Sequence, residues 1–153
     1  MSKYKLIQLT NSSIPETDAS SNLPLGLITR KINVDCNNCT TFQVASSSAD
    51  TLYINEPGFY KITYSATLTA AAAGLMSVSL ISNQNTIYTV SEDATAAEDV
   101  VNLTLVYVIR VCPNSSSAPY NCPTAIQVWL GDVATGVTPN ASTANLIIER
   151  VYW

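Results

Sequence analysis

Histidine is absent from the 153 residues, and its absence removes more chemistry than any residue present adds. Ser-His-Asp and Cys-His nucleophiles and imidazole-ligated metal centres all depend on that ring. The five glycines stand isolated, so no glycine-rich loop can cradle a phosphate. Charge is scarce as well, at 12% of residues, against roughly a quarter in an average globular protein. The seven Lys and Arg fall singly or in pairs within a net charge of −4, which leaves no basic stripe for nucleic acid or an anionic membrane. No apolar run reaches the roughly 20 residues of a membrane helix; the longest candidate, 100–111, is broken by Asn102 and Arg110. After Lys3-Tyr4-Lys5 only Leu6-Ile7 follows before polar residues return, too little for a signal-peptide core, so synthesis in the cytoplasm is expected. These absences exclude most enzyme classes and leave structural and binding roles.

What the chain has in quantity is hydrophobic alternation. Hydrophobic residues make up 47% of a length that suits one domain. With so little charge, part of the surface is expected to be covered, and copies of the same chain could cover it. From the Pro57-Gly58 turn, Tyr60, Ile62, Tyr64, Ala66 and Leu68 take one face of a strand while Lys61, Thr63, Ser65 and Thr67 take the other. The first row is expected in the core and the second on an outer wall. Further strands are predicted over 26–34, 41–45, 51–55, 76–80, 86–90, 100–111, 124–130 and 144–153, with Asn83-Gln84-Asn85 closing a hairpin. Nine candidate strands, regular turn signals and no convincing helix predict an all-β antiparallel sandwich or jelly roll over residues 25–153. Residues 1–24 are expected to form an N-terminal arm and linker. In it Tyr4, Leu6, Ile7 and Leu9 are anchor candidates; the alternative is that 5–9 adds an edge strand to the main sheet.

Gly58-Phe59-Tyr60-Lys61-Ile62-Thr63-Tyr64, the small-residue turn before Met76-Ser77-Val78, the long strand ending Arg110-Val111-Cys112 and the closing Asn145-Leu146-Ile147-Ile148-Glu149-Arg150 resemble small C1q/TNF-like domains. The resemblance is to the type encoded by phages and prophages, covers about residues 25–153, and lacks the Gly-x-y stalk of the eukaryotic members. It implies a homotrimer in which the sheet holding the first, last and long strands lines a threefold axis. Val106, Tyr107, Val108, Tyr152 and Trp153 are then interface candidates, with completion of the monomer core as the other role for the aromatics. The resemblance also implies a virion-surface location, as a head fibre or capsid decoration, with a major capsid or other virion protein as partner through residues 1–24. Host surface glycans are an alternative partner for the polar loops that carry Tyr120 and Asp132.

Two groups of residues could carry other chemistry. Cys36-x-x-Cys39 and the pair Cys112 and Cys122 follow strands expected to point the same way, which would bring four thiols to one end. They are candidates for disulfides, for a four-thiolate Zn²⁺ site, or for reduced core cysteines. Glu92, Asp93, Glu98 and Asp99 frame an acidic turn with a weak Ca²⁺ site as its sharper reading. No cofactor is otherwise expected.

Overall fold

A run that alternates apolar and polar residues buries one face only, and it needs a second sheet to cover that face. The computed structural model of the chain realises this with strands alone. It describes residues 4–14, 17–18, 20–32, 35–36, 39–45, 50–112, 123–131 and 142–152, with backbone alone at 35, 36, 39, 40 and 152. The strands are β1 (Leu6–Asn11), β2 (Ser21–Asn22), β3 (Leu27–Ile32), β4 (Asp35–Cys36), β5 (Cys39–Thr40), β6 (Phe42–Val44) and β7 (Leu52–Ile54). They continue with β8 (Gly58–Thr69), β9 (Gly74–Ser82), β10 (Asn85–Ala94), β11 (Val100–Val111), β12 (Thr124–Leu130) and β13 (Thr143–Tyr152). One sheet runs β11-β8-β13-β1-β3 and the facing one β10-β9-β12-β7-β6, with β2 added beside β12 and β4-β5 forming a separate hairpin. The chain passes from sheet to sheet between β8 and β9, between β10 and β11, and again on either side of β12. This is an antiparallel jelly roll.

Between the sheets lies a single apolar layer in which Tyr60, Ile62, Tyr64 and Leu68 of β8 meet Met76, Val78 and Leu80 of β9 and Ile126, Val128 and Leu130 of β12. Opposite residues of neighbouring antiparallel strands project to the same side. Leu105, Tyr64, Leu146 and Leu9 therefore form one inward region of the first sheet. The β9-β10 hairpin closes through Asn83 (φ 46°) and Gln84 (φ 67°), the two left-handed residues of a type I′ turn. Gly26 (φ 91°) brings the chain so close to β1 that a Cβ there would stand 2.3 Å from the Thr10 carbonyl oxygen.

Three expectations need correction. Residues 6–11 form a strand of the main sheet, which was the alternative to an arm, though an inner strand and not an edge one. β1 pairs with β13 on one side and β3 on the other, and Leu6, Ile7 and Leu9 are buried. The polar run behind it is tied down too: Ile14 and Leu23 are fully buried, and Ile14 donates its amide to the Ser142 carbonyl at 2.9 Å. Ile14, Leu23 and Leu25 share one core across residue 24. Finally, the polar row Lys61, Thr63, Ser65 and Thr67 is not a wall apart from the expected interface: β8 lies between β11 and β13, so this row crosses the middle of that same face.

Candidate functional site

The outward face of the sheet β11-β8-β13-β1-β3 is built in register rows. One row carries Val106, Thr63, Ile147 and Gln8, and the next carries Val108, Lys61, Glu149 and Leu6. In the other direction come Thr104, Ser65, Asn145 and Thr10, then Asn102, Thr67 and Thr143. The face therefore has a more apolar end, where Val106, Val108 and Ile147 surround the Lys61–Glu149 pair, and an end of amides and hydroxyls. At the apolar end Val106 and Val108 are 48% and 52% exposed, and the Arg110 guanidinium stands 5.8 Å from the Phe59 ring centroid. Phe59, Tyr107, Val108, Arg110 and Cys112 line an open depression of about 360 Å³ beside them. At the polar end the Gln8 amide donates to Asn145 Oδ1 at 2.9 Å, the Thr10 hydroxyl donates to the same oxygen at 3.2 Å, and Thr67 donates to Asn102 Oδ1 at 2.9 Å.

The interface candidates separate on this geometry. Val106 and Val108 share the outward face. Tyr107 belongs to the inward row with Leu105 and Ile109, packs against the core, and holds its ring 5.5 Å from that of Tyr88. The odd-even alternation of β11 forces this separation. The side chain of Tyr152 and all of Trp153 lie outside the described residues, as do Cys122, Tyr120 and Asp132.

Of the anchor candidates, only Tyr4 is exposed. Its hydroxyl donates to Glu149 Oε2 at 2.8 Å, and partial burial together with that carboxylate raises its pKa. Next to it, Glu56 Oε2 accepts from Lys5 Nζ at 2.6 Å and from Arg150 Nη1 at 3.3 Å, while Lys5 Nζ also donates to Thr41 and Arg150 Nη2 donates to the Pro57 carbonyl. One carboxylate thus ties the start of β1 to the end of β13 and to the turn before β8. This is a fastening for the first strand, and it adds a second reason why that strand is not free to bind elsewhere.

The acidic residues do not gather. Glu92 and Asp93 are consecutive residues of β10 and point to opposite faces. Asp99 is engaged by its own turn: the Thr95 hydroxyl, the Thr95 amide at 2.7 Å and the Ala96 amide at 3.0 Å all donate to Oδ2 and hold the carboxyl below its usual pKa. Among the described residues no three metal-ligating side chains converge. Three of the four cysteines fall within the described residues. Cys36 and Cys39 are register partners in the β4-β5 hairpin, which joins the edge strands β3 and β6, whereas the half-buried free thiol of Cys112 follows β11 at the opposite edge. Four strand spacings, about 19 Å, lie between those edges.

No family model matches the chain, nor does any curated protein. Solved structures do. Murine APRIL superposes with a TM-score of 0.64 at 10% identity over 97% of this chain and 100% of its own. Eiger TNF from S. frugiperda gives 0.59 at 8% identity, covering 94% and 90%. The vertex protein P5 of PRD1, a phage, gives 0.54 at 13% identity and covers 96% of each. The fold is the TNF-like jelly roll. At these identities the likeness is one of fold, and it has a direct bearing on the N-terminus. A superposition over 97% of 153 residues leaves about five unmatched. The likeness of fold therefore spans most of residues 1–24 as well, in keeping with the pairing of β1.

Proposed function

We propose that the chain is a virion-surface structural protein, a head fibre or capsid decoration that works as a homotrimer. Copies meet through the outward face of the sheet β11-β8-β13-β1-β3. The observation that carries this reading is the exposed pair Val106 and Val108 on that face, with Ile147 in the row of Val106 and Phe59 one row beyond Val108. Burying such residues against a neighbour is what the low charge of the chain favours. The trimer is the assembly typical of this fold, and the likeness to a phage vertex protein supports the virion setting. In this reading, attachment to the particle does not use Ile7 and Leu9, which the core retains.

Native mass spectrometry tests the assembly: the purified chain should appear at three times 16.4 kDa. Replacing both Val106 and Val108 with Glu should yield a folded monomer. A wild-type chain that stays monomeric at micromolar concentration would refute the contact. The setting is tested separately by quantifying the chain in gradient-purified phage particles, where its absence would refute the virion role.

A further inference from the structure

The outward face of the second sheet carries a groove that plays no part in the proposed trimer contact. Asn22, Ile81, Gln84, Thr86, Gln127 and Trp129 line it around about 320 Å³, near the lower limit of small-molecule sites. Its construction follows from register. Trp129 is opposite Ser79 on one side and Asn22 on the other, and Gln127 is opposite Ile81, which faces Thr86. Trp129, with small Ser79 as its neighbour on β9, is left half exposed on a sheet rather than buried in the core. Gln84 reaches the rim from the type I′ turn.

We infer that this groove binds a neutral saccharide, stacked on Trp129 and hydrogen-bonded by Asn22, Gln84, Thr86 and Gln127. The lining contains an indole, one aliphatic side chain, three amides and a hydroxyl, and none of the six is ionisable. An anionic or cationic ligand would find no counter-charge in the lining, since the Asp50 carboxylate behind it is engaged by Asn22 and Thr51, and a wholly apolar one would leave four polar side chains desolvated. A sugar ring matches both components. Its C–H face packs on the electron-rich face of the indole. Its neighbouring hydroxyls each donate and accept, as the carbonyl and NH₂ of a primary amide do.

Two of the amides are already oriented. Gln127 Nε2 donates to Thr51 Oγ1 at 2.9 Å, the Thr51 hydroxyl donates to Asp50 Oδ1 at 2.9 Å, and Asn22 Nδ2 donates to Asp50 Oδ2 at 3.2 Å. One carboxylate behind the groove thus fixes both side chains and leaves each amide a carbonyl oxygen and a second N–H for a ligand. Fixing them beforehand reduces the entropy lost on binding. The site stands on paired strands, unlike the loops of Tyr120 and Asp132, and it faces away from the proposed trimer contact. The inference rests on the groove alone, and three outward copies would add avidity to a weak single site.

The test uses the full chain with Trp153→Phe, so that Trp129 is the one remaining tryptophan of the two. A glycan array bearing neutral, sialylated and sulfated saccharides identifies the class. Fluorescence titration with maltohexaose, cellohexaose, mannohexaose and N-acetyllactosamine then measures affinity. The expected result is neutral glycans bound on the array and a saturable change in Trp129 emission. Trp129→Ala should weaken array binding at least about tenfold, the scale of a lost aromatic contact, and Gln127→Ala several-fold, both with unchanged circular dichroism. Preference for charged glycans, no binding to any neutral glycan, or binding that Trp129→Ala leaves intact would each overturn the inference. The fluorescence titration reads the single site, so its result depends on neither oligomeric state nor particle association.

Discussion

Leu9 offers the sharpest test of where the domain begins. Its side chain is 0% exposed and sits opposite Leu146 on β13, within the inward region completed by Tyr64 and Leu105. Were residues 6–11 a separable arm, Leu9→Ala would leave the barrel unaffected. As a core position in a strand paired on both sides, it should cost about 3 kcal/mol, within the usual span for a buried Leu→Ala change. The neighbouring strands hold the backbone on either side, so little of the cavity can collapse. At about 2–4 °C per kcal/mol for a chain of this size, the melting temperature should fall by ~6–12 °C. Leu27→Ala on β3 is the control, since Leu27 is 79% exposed, and it should move the midpoint by less than about 0.5 kcal/mol. Both variants are compared by circular dichroism melting at one fixed chain concentration, because assembly shifts apparent stability. A loss for Leu9→Ala no larger than that for Leu27→Ala would refute the placement of β1.

Three other perturbations follow from the same packing. The Tyr64 hydroxyl is buried with no hydrogen-bond partner among the described residues, so Tyr64→Phe should stabilise by about 1–2 kcal/mol in a urea titration; burial also raises its pKa, so the folded state holds this proton longer than the unfolded one and stability should fall once pH exceeds about 10. Glu56→Gln removes the carboxylate shared by Lys5 and Arg150, whose side chains are 14% and 9% exposed, and should lower stability by about 2–3 kcal/mol, whereas the exposed Lys61→Ala should do little. The lowered pKa of Asp99 means that its turn contacts are complete above the ordinary carboxylate range and are lost as pH falls through the depressed value; amide exchange at Thr95 and Ala96, measured by NMR, should accelerate there and should be fast at all pH in Asp99→Ala.

The strands with the clearest alternation were legible from residues alone. A long unbroken alternation marks a strand whatever its place in the sheet, and 100–111 at an edge and 124–130 between two neighbours both have the predicted bounds. β10 runs on to Ala94, beyond the predicted 90, because an edge strand tolerates the charged Glu92 and Asp93 that look like loop residues in a sequence. β1 was read as an arm because Lys5, Gln8 and Thr10 interrupt its apolar residues. Lys5 is compensated by Glu56, and the other two lie on the outward face, where their partner Asn145 is more than a hundred residues away. Trp129 was passed over for a related reason: alternation places it outward, but its neighbours Asn22 and Gln84 come from other strands and turns. Spacing along the chain carries no trace of such cross-strand company.

The pairing of β1 with β13 also sets a condition on biosynthesis. Leu6 is opposite Glu149, so β1 waits for β13, with every other strand of the two sheets between them in sequence, before its sheet is complete. Until then Ile7 and Leu9 have no lasting cover, and the sheet closes only by one of the longest loops the chain can make. The sheet therefore cannot close before β13 has been made, and a chain cut before that strand leaves an open, aggregation-prone edge rather than a smaller stable barrel.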